Sequence, residues 1–293
     1  MSIRVMAPSE PIIEAPLTAA EMPDAEALVR EAGWNQVAAD WEIFRALGTV
    51  YAARAGGRVV ATAATLPYGE FAWISMVLVT GEQRRRGLGT RLLKRCIAAL
   101  NEAGCVPVLD ATPDGRPLYR ALGFEEAWGF HRLVRGKVQP MRAGLALPVG
   151  TTIRPIADAD WDGICAYDSA VFGADRGALL RRLRGRLPAT EMVAYQGDRI
   201  AGFMLGRNGR SAAQIGPLVA EDDAVAQALL ARAIPAIESP IYIDLADIKT
   251  EIRAWLAGCG FAAQRPLTRM LYRRATSFDD TSRTFAVVGP EFG

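Results

Sequence analysis

The chain has 293 residues, which suggests about two domains of ordinary size, each able to bury a core. Its hydrophobic content of 51% is normal to high, no apolar run approaches the ~18 residues that span a membrane, and Met1 to Pro16, with Glu10, Glu14 and three prolines, reads as a flexible lead-in and as neither a signal peptide nor a transit helix. A net charge of +2 argues against nucleic acid as a partner; Cys96, Cys105, Cys165 and Cys259 lack CxxC spacing and fit reduced thiols in the cytoplasm; and one histidine makes a metal site unexpected.

The first segment of chemical interest is Trp34-Asn35-Gln36-Val37-Ala38-Ala39-Asp40-Trp41. Trp34 and Trp41 straddle Asp40 at roughly two helical turns. Tryptophans so spaced usually pack in a core, yet indoles around one acid also suit a cationic amine with apolar surface. An apolar strand follows, Trp73-Ile74-Ser75-Met76-Val77-Leu78-Val79. It runs through Thr80-Gly81-Glu82-Gln83 into Arg84-Arg85-Arg86-Gly87-Leu88-Gly89-Thr90, which opens a helical pattern carried by Leu92, Leu93, Cys96, Ile97 and Leu100. Two glycines let the backbone approach a ligand closely, the helix start offers unpaired N–H groups and its positive dipole end, and the arginines add charge. Such a loop suits a pyrophosphate. Three arginines are too few for a nucleic-acid footprint, and no aromatic residues are interleaved with them. Val106-Pro107-Val108-Leu109 reads as a second buried strand, so the unit is strand, glycine loop, helix, strand, with ligands expected at the strands' carboxyl ends.

Arg84-Arg85-Arg86-Gly87-Leu88-Gly89 resembles the Gln/Arg-x-x-Gly-x-Gly/Ala signature of the GNAT N-acetyltransferases, and Leu118-Tyr119-Arg120-Ala121-Leu122-Gly123-Phe124 resembles that family's later Leu-Tyr…Gly-Phe element. The resemblance implies acetyl-CoA as donor. It places the pyrophosphate on the backbone N–H groups of Arg85, Arg86, Gly87, Leu88, Gly89 and Thr90, with Arg84 also at the cofactor, and pantetheine along the splayed strand end Met76, Val77, Leu78 and Val79. Thr112 stands where many relatives carry an asparagine that contacts pantetheine. In the family the segment around Trp34, Asp40 and Trp41 borders the acceptor pocket, and Ser75 lies in the strand where some relatives place a glutamate. The run Leu109 to Tyr119 is also similar to a bacterial tandem subgroup in which a complete GNAT domain is followed by a degenerate one.

Internal similarity supports that duplication. Pro16-Leu17 pairs with Pro155-Ile156, Gly57-Arg58-Val59 with Asp198-Arg199-Ile200, and Gly123-Phe124 with Gly260-Phe261, all offset by about 140 residues. Pro140, Gly144, Pro148 and Gly150 mark the boundary, which gives a catalytic domain over 1–140, a linker over 141–151 and a degenerate domain over 152–293. The copies are not equivalent. Where the first has the arginine-glycine loop, the second has Glu221-Asp222-Asp223, acids that would repel a pyrophosphate, and Leu256 stands at the position of Tyr119.

Acetyl transfer needs a proton for the departing thiolate, a donor for the oxyanion and a base for a protonated amine. Tyr119 is the candidate acid, with a backbone N–H near Val77 or Leu78 as the oxyanion donor. For the base, Asp110 at the end of the second strand, Asp40 and a water chain remain open. The expected fold is mixed α/β: two tandem domains, each a twisted, mostly antiparallel sheet flanked by helices. The expected function is acetyl-CoA-dependent N-acetylation of a small-molecule or peptide amine by a monomer or homodimer, with a non-catalytic acyl-CoA sensor as the alternative. In the last segment, Phe278, Phe285, Val287 and Val288 predict that part of Thr276 to Gly293 docks.

Overall fold

The structure, a computed structural model, describes residues 13–136 and 149–293; most of the linker expected at 141–151, and the first twelve residues of the lead-in, lie outside the described residues. The lead-in is shorter than expected, because Ile13–Pro16 already forms strand β1. Helices α1 (Met22–Ala32) and α2 (Ala38–Leu47) come next. Gly33, in the left-handed region at φ +70°, closes α1, and the chain re-enters a helix only after Asp40 accepts the Val37 N–H at 2.9 Å. Trp34 and Trp41 therefore do not share a helix: the glycine breaks the spacing that suggested one. The first half continues through β2 (Thr49–Ala55), β3 (Arg58–Tyr68), β4 (Phe71–Val79), α3 (Leu88–Glu102), β5 (Val106–Ala111), α4 (Arg116–Ala121) and β6 (Phe124–Arg135).

The second half repeats this order. It runs β7 (Thr151–Pro155), α5 (Trp161–Phe172), α6 (Gly177–Leu183), β8 (Met192–Gln196), β9 (Arg199–Arg207), β10 (Ala213–Ala220), α7 (Asp223–Ala233), β11 (Ile241–Ala246), α8 (Thr250–Gly258) and β12 (Ala262–Tyr272), and adds a short β13 (Thr284–Ala286). Pro16 and Pro155 end matching strands, and Arg58 and Arg199 begin matching strands. The duplication read from the sequence is thus a duplication of architecture.

The thirteen strands of the described residues join in one sheet, in the order β1-β2-β3-β4-β5-β12-β6-β11-β13-β10-β9-β8-β7. It is mostly antiparallel, with parallel pairs at β4–β5 and β10–β11. The apolar stripe of α3, from Leu88 to Leu100, packs with Ala61, Ile74 and Leu109 of the sheet. At the centre the halves exchange strands: β12 lies between β5 and β6, and β6 pairs with β11. Buried ion pairs cross these seams. Arg269 of β12 binds both oxygens of Asp110 in β5, at 3.0 and 3.1 Å, and lies 4.4 Å from the ring centres of Trp73 and Trp128. Arg132 of β6 grips Asp244 of β11 at 2.8 and 2.7 Å.

The expected docking of the last segment takes a specific form. Strands β10 and β11 pair in parallel only between Ala213–Ile215 and Ile241–Ile243 and then part; β13 enters the gap and pairs antiparallel with both. Among the described residues no helix is long and apolar enough to cross a membrane.

Candidate active site

In the first half the matching gap carries no strand among the described residues. Strands β4 and β5 pair only over Phe71–Trp73 and Val106–Val108. On the opposite edge of β4 the register with β3 shifts between Thr62 and Ala64; there Met76 takes φ +51° and its carbonyl accepts the Thr62 hydroxyl at 2.8 Å. A bulge of this kind turns backbone groups out of the ladder. The edge Met76–Val79 is left facing the gap.

The glycine loop lies at the end of that edge. Arg85 and Gly87 both have positive φ, +61° and +76°, and α3 begins directly after them. The first intrahelical bond runs from the Arg91 N–H to the Gly87 carbonyl at 2.9 Å, so the N–H groups of Leu88, Gly89 and Thr90 precede the ladder and are free for an anion. A Cβ at Gly87 would meet nothing within 4 Å, so conformation selects glycine there; at Gly89 it would lie in ordinary contact, 3.4 Å from Val79 Cγ2. Arg84 donates to the Val79 carbonyl at 3.2 Å and Arg86 to Gln83 Oε1 at 3.1 Å, which fixes two of the three arginines to the loop itself.

The second half has closed its equivalent of this site. Asp222, at the N-cap of α7, accepts the Val225 N–H at 2.8 Å, placing the chain's own carboxylate where an anion would sit. Strand β13 fills the gap, and Leu256 is fully buried. Calorimetric titration of the whole chain is therefore expected to give one CoA per chain, with Glu221→Ala leaving the stoichiometry alone. Two equivalent sites would overturn the assignment.

A cavity of ≈ 200 Å³ opens where β4 and β5 part. Of the residues anticipated from the sequence it gathers Trp34, Ser75, Met76, Val77, Asp110, Thr112 and Tyr119; to these it adds Asn35, Gln36, Arg132, Arg265, Leu267, Pro290 and Glu291. Leu78, Val79 and the glycine loop lie outside its lining, along the edge already described. Tyr119 stands on α4 with its ring edge-on to Phe124 at 6.0 Å, and Gly115 makes room for it, since a Cβ there would come within 2.8 Å of Tyr119 Cε2. Burial raises the Tyr119 pKa above its usual 10.0, which keeps the hydroxyl protonated through the neutral range. Thr112 Oγ1 accepts the Gly115 N–H at 3.3 Å.

The carboxylates divide differently from the expectation. Burial pushes the Asp110 pKa up to about 6 against the opposing pull of Arg269, but both its oxygens are engaged by that arginine. Asp40 does not line the cavity. Its side chain is fully buried and accepts from Arg186 at 2.6 Å and Arg207 at 3.1 Å, so it ties α2 to the second half. Trp41 is a core residue, 1% exposed, because α2 turns it away from the loop that carries Trp34. The other acid of the cavity lining, Glu291, was not anticipated from the sequence. One of its oxygens pairs with Arg207, while the closing segment is fixed by Trp73 Nε1 donating to the Pro290 carbonyl at 3.1 Å and the Tyr68 hydroxyl donating to that of Phe292 at 2.8 Å.

Four residues of the cavity lining each carry a buried side-chain atom without a hydrogen-bond partner: Gln36 Oε1, Ser75 Oγ, Arg265 Nε and Glu291 Oε2. Leaving such a group unsatisfied typically costs about 1–3 kcal/mol. Four such residues around one cavity make it the place where polar groups lack partners within the chain.

Comparison with known proteins gives a consistent answer for both halves. A family model described as "Acetyltransferase (GNAT) family" matches residues 15–124, and one described as "Acetyltransferase (GNAT) domain" matches residues 164–286. The Bacillus subtilis (strain 168) protein described as "Uncharacterized N-acetyltransferase YitH" is 27% identical over 205 residues, 70% of this chain and 71% of that one. A crystal structure of a putative acetyltransferase from Pyrococcus horikoshii superimposes with a TM-score of 0.76 at 18% identity, covering 100% of this chain and 99% of that one. A tandem GNAT protein from the clavulanic acid biosynthesis pathway superimposes with a TM-score of 0.62 at 16% identity, covering 89% and 98%. At these identities the superpositions speak to the fold.

Proposed function

We propose that this chain, which belongs to the GNAT family of N-acetyltransferases through both of its halves, moves an acetyl group from acetyl-CoA to a primary amine of a small molecule or peptide, with residues 1–140 holding the donor and 152–293 helping to enclose the acceptor. The observation that carries the reading is the single cavity shared by Tyr119, the parted edge of β4 and the unpartnered Glu291 oxygen. Positive φ at Gly87, the free N–H groups of the first turn of α3 and the empty edge of β4 suit the pyrophosphate and the extended arm of acetyl-CoA, which when bound supplies an activated thioester acyl group.

The chain's residues then have distinct tasks. The backbone of Arg84 to Thr90 binds the diphosphate, while Met76 to Val79 and Thr112 line the arm. A backbone N–H at Val77 or Leu78 polarises the acyl carbonyl, and Tyr119 gives a proton to the leaving sulfur. Glu291 Oε2 receives the amine and its proton. Asp110 keeps Arg269 in place, and Trp34 and Ser75 shape the acceptor side.

Incubation with acetyl-CoA and a panel of amines, followed by free thiol, is expected to show release that depends on the amine. Glu291→Gln removes a charge-assisted bond of about 1.5–3 kcal/mol, so KM for the amine should rise about tenfold or more. No amine-dependent thiol from a protein that binds acetyl-CoA would refute the transfer reading, and an unchanged KM would remove Glu291 from it.

A further inference from the structure

Arg265 has no place in the chemistry above. It lies on β12 directly opposite Arg132 of β6, and like charges facing each other across a strand pair are unfavourable. Arg132 is neutralised by Asp244, but Arg265 has no acid bonded to it among the described residues. Its Nε is buried and without a partner, and it lines the same cavity as Glu291. Burial first, and then the charge of Arg132, lower the Arg265 pKa, and the nearby Asp244 and Glu291, which raise it, do not offset them. Only the strand exchange brings this residue to the donor's side of the molecule, since β12 belongs to the second half.

We infer that the acceptor carries an anionic group in addition to its amine, and that Arg265 binds it. A guanidinium presents a planar fork that matches a carboxylate or a phosphate bidentately, so its unpaired state in a cavity is an offer to a group of that kind. The cavity then displays two signs, the Glu291 oxygen for an ammonium and Arg265 for an anion, while Gln36 Oε1 and Ser75 Oγ supply neutral polar contacts. Such a lining selects a zwitterionic amine and penalises a simple polyamine, whose second cation would face Arg265. This inference rests on the transfer reading for its chemistry, but binding tests it separately.

The test is a calorimetric titration of the full chain, with CoA present, using matched pairs of ligands: an α-amino acid against its carboxamide, and an aminosugar phosphate against the unphosphorylated aminosugar. The anionic member of at least one pair should bind tenfold more tightly or better, and the pair that shows it identifies carboxylate or phosphate as the group. In Arg265→Gln that ratio should fall to within threefold of one, and Arg265→Lys, which keeps the charge without the fork, should retain part of it. Neutral members that bind as tightly, no binding by any member, or a ratio unchanged in Arg265→Gln would overturn the inference; should that variant not fold, the wild-type ratio and Arg265→Lys decide. Thiol release with acetyl-CoA in place of CoA reads the transfer independently. An anion preference without release refutes the transfer and spares the anion site, whereas release that favours the neutral members does the reverse.

Discussion

Gly87→Asp abolishes acetyl-CoA binding in a protein that still folds. The substitution sets a carboxylate beside the first turn of α3, as Asp222 sets one at the start of α7, although position 87 is left-handed where Asp222 is extended. A carboxylate about 4 Å from a phosphate oxygen in an effective dielectric of about 20 costs about 4 kcal/mol, a loss near a thousandfold, and it competes for the same N–H groups. Space is not the obstacle, because a Cβ at this position meets nothing within 4 Å; the φ of +76° adds a conformational penalty of about 1–2 kcal/mol. Acetyl-CoA at a hundredfold excess over its dissociation constant should raise wild-type stability by about 2.7 kcal/mol, a thermal shift of roughly 5–10 °C. In Gly87→Asp the shift should vanish. Gly87→Ala carries the strain without the charge and should keep a reduced shift. A full shift in the aspartate variant would remove the loop from the cofactor site.

Tyr119→Phe should leave acetyl-CoA binding intact and lower kcat by about 10²- to 10⁴-fold, the range typical of a lost general acid. The ring's packing survives the change, since its edge contact with Phe124 and its seat beside Gly115 involve carbon atoms alone. Because only the transition state loses an interaction, the effect falls on kcat with KM nearly unchanged. Steady-state kinetics on both proteins with one amine settles it. Turnover within about threefold of wild type would make Tyr119 a packing residue and solvent the acid.

The glycine loop and the strand before it were legible in the sequence because their demands are local. A helix start with a positive-φ glycine, following an apolar strand, occupies one short stretch from Trp73 to Thr90, and Tyr119 comes with its own motif. The rest of the cavity lining was not legible, for the opposite reason. Gln36, Arg132, Arg265 and Glu291 come from four separated segments, and only the strand exchange and the docked closing segment bring them together. Asp110 was a candidate base because it stands at the carboxyl end of a strand; its partner Arg269 is 159 positions away. Asp40 misled similarly, since its ligands Arg186 and Arg207 lie in the other half. Phe285 and its apolar neighbours did announce that the last segment docks. That it docks as a strand in the β10–β11 gap depends on a vacancy which no local pattern records.

The exchange of β6 and β12 also bears on how two copies of one ancestor came to share a fate. A duplicate that lacks the glycine loop and the tyrosine of its partner would ordinarily be free to be lost. Here its loss would withdraw the strand that separates β5 from β6, and with it Arg269, stranding Asp110 as a buried charge at a cost of about 3–5 kcal/mol. Arg265 and Glu291 would leave the cavity at the same time. The second copy differs from the first at the glycine loop, at the tyrosine position and in its filled gap, yet it keeps its place in the sheet: mutual lending of a strand turns redundancy into dependence, so that neither half can be withdrawn without exposing the other.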